Sequence, residues 1–143
     1  MYLKVGHSLG GALALLDTAM MAQNLDTKTT PIKMVTYGMP RVGNPAFADY
    51  ISNAPGVSLT HINNDLDPIP IVPGRFLGFE HPIGEVHITS DDTIDGTWFA
   101  CSSEDDATDS QCEIMSVPNI FESNILDHLG PYNGIYIGTI FCT

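Results

Sequence analysis

The early part of the chain switches repeatedly between helical and strand-like patterns of apolar residues. Tyr2 to Val5 reads as the end of a short strand. From Leu9 to about Leu25 apolar residues lie nearly all around a helical repeat, the pattern of a buried helix, and the small residues Gly10, Gly11 and Ala12 let its first turn lie close to neighbouring backbone. Pro31 opens a second strand, Ile32 to Tyr37, whose run through Met34, Val35 and Tyr37 suits a sheet covered on both faces. A loop of turn-formers, Gly38 to Asn44, leads into PAFADYIS, a short helix with Pro45 in its first turn, where a missing N–H costs nothing. Val57 to Ile62 is a third strand.

Strand, helix, strand, helix, strand is the alternation of an α/β fold with a largely parallel sheet. Asp65 to Pro82, rich in proline and glycine, reads as a loop wrapping an active face. GEVHITS and TWFACSS read as paired strands joined around SDDTIDG, followed by a short helical stretch near Asn119 to Asn124 and the loop DHLGPYNG. The sequence contains no internal repeat or low-complexity segment.

With 143 residues, 43% of them hydrophobic, the chain has material for one core, so residues 1–143 form one domain or part of one. Seventeen Asp and Glu against five Lys and Arg give a formal charge of −12. That charge repels the phosphates of nucleic acid and of anionic membranes, and otherwise describes a well-solvated surface. No apolar run reaches the length of about 18 residues that a membrane helix needs, Asp17 breaking the longest one, and no secretion signal opens the chain. Cys101 and Cys112 flank the polar stretch SSEDDATDSQ. A disulfide there would contribute about 3 kcal/mol in the chain-entropy view, two free thiols being the alternative. Cys142 is then left without a partner in this chain.

The stretch Gly6-His7-Ser8-Leu9-Gly10 fits the G-x-S-x-G nucleophile elbow and lies where that motif must lie, between a strand and a helix. So sharp a turn strains the serine backbone, and both glycines are expected to be required because a side chain at either would collide with its neighbours. Ser8 would thus stand at the helix N-terminus, where the dipole and the Leu9 N–H can stabilise an oxyanion.

A serine hydroxyl needs a histidine base, and the histidine needs a carboxylate to fix its tautomer, in the chain order serine, acid, histidine. His7 adjoins the serine and is expected to point away from it, whereas His61, His81 and His87 belong to strands or their flanks and read as structural or surface residues. His128, which follows every candidate acid, is the expected base. Asp67, held before Pro68, is the expected acid, with Asp65 as the alternative. Asp127 has the wrong geometry to orient its own neighbour and reads as a loop or surface carboxylate. The histidines show no HExxH or similar ligand spacing, which argues against a metal hydrolase.

GHSLGGALALLD, VTYGMPRVGNPAFADY, HINNDLDPIPIVPGRFLGFEHPIGEVHI and DHLGPYNG together resemble the fungal class 3 lipases, and the resemblance extends over nearly the whole chain. It implies an α/β-hydrolase fold, secretion, and hydrolysis of acylglycerols at a lipid–water interface without metal or organic cofactor. It also implies a triad of Ser8, Asp67 and His128, and it favours Asp67 over Asp65 because the family's acid directly precedes a short apolar and proline segment. Ile71, Val72, Phe76, Leu77 and Phe79 would then line an acyl groove, the alternative being that they are core.

Relatives carry a long segment ahead of the elbow that has no counterpart here. The expectation is therefore a C-terminal portion of such a lipase, without the early strands, the lid, the loop giving the second oxyanion N–H, or the cysteine that would pair with Cys142. Impaired activity is expected on that ground. The alternatives within reach are a feruloyl or short-chain esterase, which shares fold and triad, and a non-catalytic fragment.

Overall fold

The computed structural model describes residues 1–89, 97–102, 105 and 109–137. Its five strands are β1 (Tyr2–His7), β2 (Ile32–Tyr37), β3 (Val57–Asn64), β4 (Glu85–Ile88) and β5 (Trp98–Ala100). They form one sheet in sequential order, with β1 to β4 parallel and β5 antiparallel to β4. The expected alternation is therefore present, with helix α1 (Leu9–Asn24) after β1 and α2 (Pro45–Ser52) after β2. Pro45 takes the first turn of α2, and Asn44 caps it by accepting the Phe47 N–H at 3.0 Å. The SDDTIDG connection lies outside the described residues, as does Cys142 with its expected pairing.

Strand β2 shows why the sheet is covered on both sides. Met34 packs with Leu15, Ala19, Met39 and Ile51 against α1 and α2. Its neighbours Val35 and Tyr37 point the other way and join Ile62, Ile88 and Tyr132. The expected full burial of α1 is corrected, however. Leu15 is fully buried, while Leu9, Leu13, Leu16 and Met20, spaced by three and four residues, are exposed. An apolar composition all round a helix therefore says that both faces can be buried, not that both are.

The loops also hold short elements, of which only the one near Asn119 to Asn124 was expected from the sequence. A short helix, α3 (Glu113–Ser116), and single 3-10 turns at Arg75–Leu77, Ile120–Glu122 and Asp127–Leu129 punctuate the loops. Each is too short to carry a readable hydrophobic period.

Two buried histidines hold the long loop after β3. His61, in β3, stacks on His81 with ring centroids 4.8 Å apart. His61 Nε2 donates to Pro82 O at 3.0 Å, and His81 Nε2 donates to Pro70 O at 2.9 Å. Burial lowers the pKa of both below 6.5, and for His81 the neighbouring His61 and Arg41 add to it. The unfolded chain therefore binds these protons first as pH falls, so this part of the stability is complete above about pH 6.5 and lost below it. The urea midpoint is expected to drop between about pH 7.5 and about pH 5.5, and to drop less in His81→Phe. An unchanged slope in that variant would contradict a buried neutral pair.

Candidate active site

The first parallel strand hands the chain to α1 through Ser8, whose φ of 56° and ψ of −130° lie outside the ordinary regions for a non-glycine residue. Such strain costs about 1–3 kcal/mol and persists only where the surroundings fix it. Here the Ser8 N–H donates to Tyr37 O at 2.9 Å, and the Ser8 carbonyl accepts from Gly11 N at 2.9 Å and Ala12 N at 3.3 Å. A Cβ on Gly6 would overlap the Gly10 carbonyl, so that glycine is required. The same expectation for Gly10 is corrected, because a Cβ there meets no atom within 4 Å. The Leu9 N–H starts the helix, where backbone donors have no intrahelical acceptor, and the Leu9 side chain is exposed.

His128 links the serine to an acid. Its Nε2 lies 2.8 Å from Ser8 Oγ and its Nδ1 lies 2.8 Å from Asp67 Oδ2. With Nδ1–H donating to the carboxylate, Nε2 is left as the acceptor for the serine hydroxyl, the arrangement general-base catalysis needs. Asp67 is fully buried, and its other oxygen, Oδ1, accepts the Ile69 N–H at 2.8 Å. Asp65 stands aside from this line, with a left-handed φ of 44° in the turn that precedes Asp67.

Four residues complete the site in ways the sequence reading passed over. Gly38, at the end of β2, has φ 53°, and a Cβ on it would lie 2.7 Å from both Asp67 Oδ2 and His128 Nδ1. Only a residue without a side chain leaves room there for the acid–histidine bond. Tyr132 donates toward Asp67 Oδ2 at 3.4 Å and His128 O at 3.3 Å; burial and then the Asp67 charge push its phenol far up, which keeps it a donor. His7 does not leave the site, since its ring stacks on His128 at 4.6 Å and its Nε2 donates to His128 O at 2.8 Å.

Asp127, expected to be a loop or surface carboxylate, lies in the histidine loop and is buried. Its carboxylate accepts from Leu66 N at 3.2 Å and Asn124 Nδ2 at 2.8 Å, and its carbonyl accepts from Asn64 Nδ2 at 2.9 Å. It thus staples the histidine loop to the acid turn. The available signals were Gly38 directly after a strand, Tyr132 four positions after the histidine, and the adjacency of His7 and Asp127 to Ser8 and His128.

The expected groove residues divide. Ile71, Val72 and Phe76 line a cavity of about 520 Å³, facing Ile114, Val117 and Ile120, whereas Leu77 and Phe79 are not among its lining residues. Phe76 is 89% exposed and Leu77 61% exposed, so neither is core. The cavity wall includes none of Ser8, Asp67 or His128. Arg41 fixes its floor by pairing with Asp105 and donating to the carbonyls of Ile71 and Pro73. Cys101 and Cys112 form a disulfide beside Glu85; sulfurs joined in this way offer no thiolate to a metal. Burial, followed by the charges of Asp67 and Glu85, pushes the Glu113 carboxyl well above its usual range.

Comparison with known proteins gives a consistent set of relatives. The family model for lipase (class 3) matches residues 3–77, a span that includes Ser8 and Asp67. The lipase of Rhizomucor miehei is 37% identical over 139 residues, 96% of this chain and 35% of that protein. The secreted mono- and diacylglycerol lipase 3 of Gibberella zeae is 35% identical over 135 residues, 94% of this chain and 42% of that protein. The Rhizomucor miehei lipase propeptide complex superimposes with a TM-score of 0.79 at 35% identity, over 99% of this chain and 42% of its own. A solved triacylglycerol lipase described as having a serine protease triad as its catalytic centre matches at TM-score 0.77 and 36% identity, over 99% of this chain and 49% of its own. The fold is thus that of the α/β hydrolases, and the chain spans less than half the length of these relatives.

The two glycines give opposite expectations at the site. Gly38→Ala is expected to slow phosphonylation of Ser8 by about 100-fold or more, because it displaces His128 or Asp67. Gly10→Ala is expected to stay within about threefold of the parent and to gain helix stability. Equal rates in the two variants would count against the packing at Gly38.

Proposed function

The chain belongs to the class 3 lipase family, and from that premise we propose that it carries the acyl-transfer centre of a triacylglycerol-type lipase, with Ser8 as nucleophile, His128 as general base and Asp67 as its orienting acid. The observation that carries this reading is the unbroken hydrogen-bonded line from Ser8 Oγ through His128 to the buried Asp67, both links at 2.8 Å.

In the first step Ser8 Oγ attacks the ester carbonyl while His128 Nε2 takes its proton. The carbonyl oxygen becomes an oxyanion beside the Leu9 N–H at the start of α1. His128 then gives the proton to the departing alcohol, leaving an acyl-serine. Water repeats the sequence, with His128 again as base, and frees the fatty acid. Asp67 keeps the Nδ1–H in place throughout and offsets the imidazolium charge.

Two further features fit a lipid substrate. Phe76, Leu77, Ile120, Phe121, Ile125 and Leu126 expose large apolar surface on the loops, which suits contact with an apolar phase better than with a dissolved polar ester. Ile71, Val72 and Phe76 are the candidates for acyl contact through the cavity they border. Relatives named as secreted lipases and the Cys101–Cys112 disulfide support an extracellular setting.

A fluorophosphonate probe followed by mass spectrometry tests the reading. Labelling is expected at Ser8, absent in Ser8→Ala, and reduced by about 10⁴-fold in His128→Ala and Asp67→Asn. An adduct on another serine, or labelling indifferent to His128, would overturn it.

A further inference from the structure

His87 of β4 is 1% exposed and belongs to neither end of the Ser8–His128–Asp67 line. Its Nδ1 lies 2.6 Å from Gln111 O, and its Nε2 lies 2.9 Å from Asp65 O. Backbone carbonyls only accept hydrogen bonds, so a ring nitrogen that bonds to one must carry hydrogen. Nε2 also lies 3.3 Å from Oε2 of the buried Glu113, and Glu85 is the other buried carboxyl of this region, accepting the Glu113 N–H at 2.7 Å.

The two carbonyls belong to segments with different duties. Gln111 precedes Cys112, which the disulfide joins to Cys101. Asp65 opens the turn into Asp67, and its backbone is held in the left-handed region at φ 44°. Its N–H donates to Ile88 O at 2.7 Å, so β4 grips the strained residue from both sides, at the N–H through Ile88 and at the carbonyl through His87. The two peptide groups that flank Asp65 are thus each held by one bond, and the Asp67 N–H that follows donates to Asn64 O at 3.0 Å.

We propose that His87 is a positioning residue for the active site, its Nε2 holding the Asp65 carbonyl in the turn that aims the Asp67 carboxylate at His128. The inference rests on the triad reading above.

Two near-isosteric variants separate its two bonds. In His87→Gln the side-chain amide nitrogen stands near the place of Nε2 and retains donation to Asp65 O. In His87→Asn it stands near the place of Nδ1 and retains only donation to Gln111 O. With an ester substrate, His87→Asn is expected to lower kcat by about tenfold or more with KM within about twofold, and His87→Gln to retain kcat within about threefold. The low-field proton of His128 Nδ1–H, read by NMR without turnover, is expected in the parent and in His87→Gln and to be broadened or lost in His87→Asn. A nitrogen-15 spectrum of the parent is expected to show hydrogen on Nε2 of His87, the nitrogen that faces Asp65 O.

Equal behaviour of the two variants, or a His87 Nε2 without hydrogen, would overturn the proposal. The nitrogen-15 spectrum of the parent decides even if His87→Asn fails to fold. A parent that resists the fluorophosphonate probe while its low-field proton follows the expected order would refute the triad function and leave the positioning role standing.

Discussion

One imidazole has to meet two side chains at once, and the rest of the site is arranged around that requirement. His128 lies 120 positions from Ser8 and 61 from Asp67 in sequence, yet it is 2.8 Å from both partners. Neighbouring parallel strands make this possible, because their C-terminal ends discharge side by side. Ser8 follows β1, Gly38 follows β2, and the acid turn follows β3. The missing side chain of Gly38 is what keeps the middle of this row open for the histidine–acid bond.

Burying so many polar groups is favourable only where each finds a partner, since an unmatched buried donor or acceptor costs about 1–3 kcal/mol. The site meets that condition by sharing. Both Asp67 oxygens are engaged, Oδ2 by His128 and Tyr132 and Oδ1 by the Ile69 N–H. The His128 carbonyl serves His7 and Tyr132 together. A shared acceptor fixes the relative placement of its donors, so the same bonds that satisfy burial also set the geometry of the reaction.

The strands, the first two helices and the three residues proposed as the triad were picked out by rules that act along the sequence. Apolar patterning gave β2 and α1, and Pro45 gave the start of α2, while Gly6 and Ser8 between a strand and a helix gave the elbow. What could not be read depends on contacts between distant segments. Nothing local separates Leu15, fully buried, from Leu13 two positions earlier on the exposed face of α1. Gly10 and Gly38 carry the same letter, but one faces open space and the other faces the acid and base. The burial of Asp127 was not legible because its partners Leu66 and Asn64 lie more than sixty positions away in sequence.

The residues proposed to react sit on loops, and loops have few backbone hydrogen bonds of their own to hold them still. This accounts for where the fold spends its buried polar side chains. His61 and His81 reach Pro82 and Pro70, Arg41 reaches Ile71 and Pro73, Asp127 reaches Leu66, and His87 reaches Asp65. Every one of these bonds ends on a backbone atom between residues 65 and 82. The loop that carries the acid is therefore as firmly determined as a strand, although no ladder runs through it. A catalytic carboxylate needs that determination, because an error of about 1 Å in its placement can cost about a hundredfold in rate.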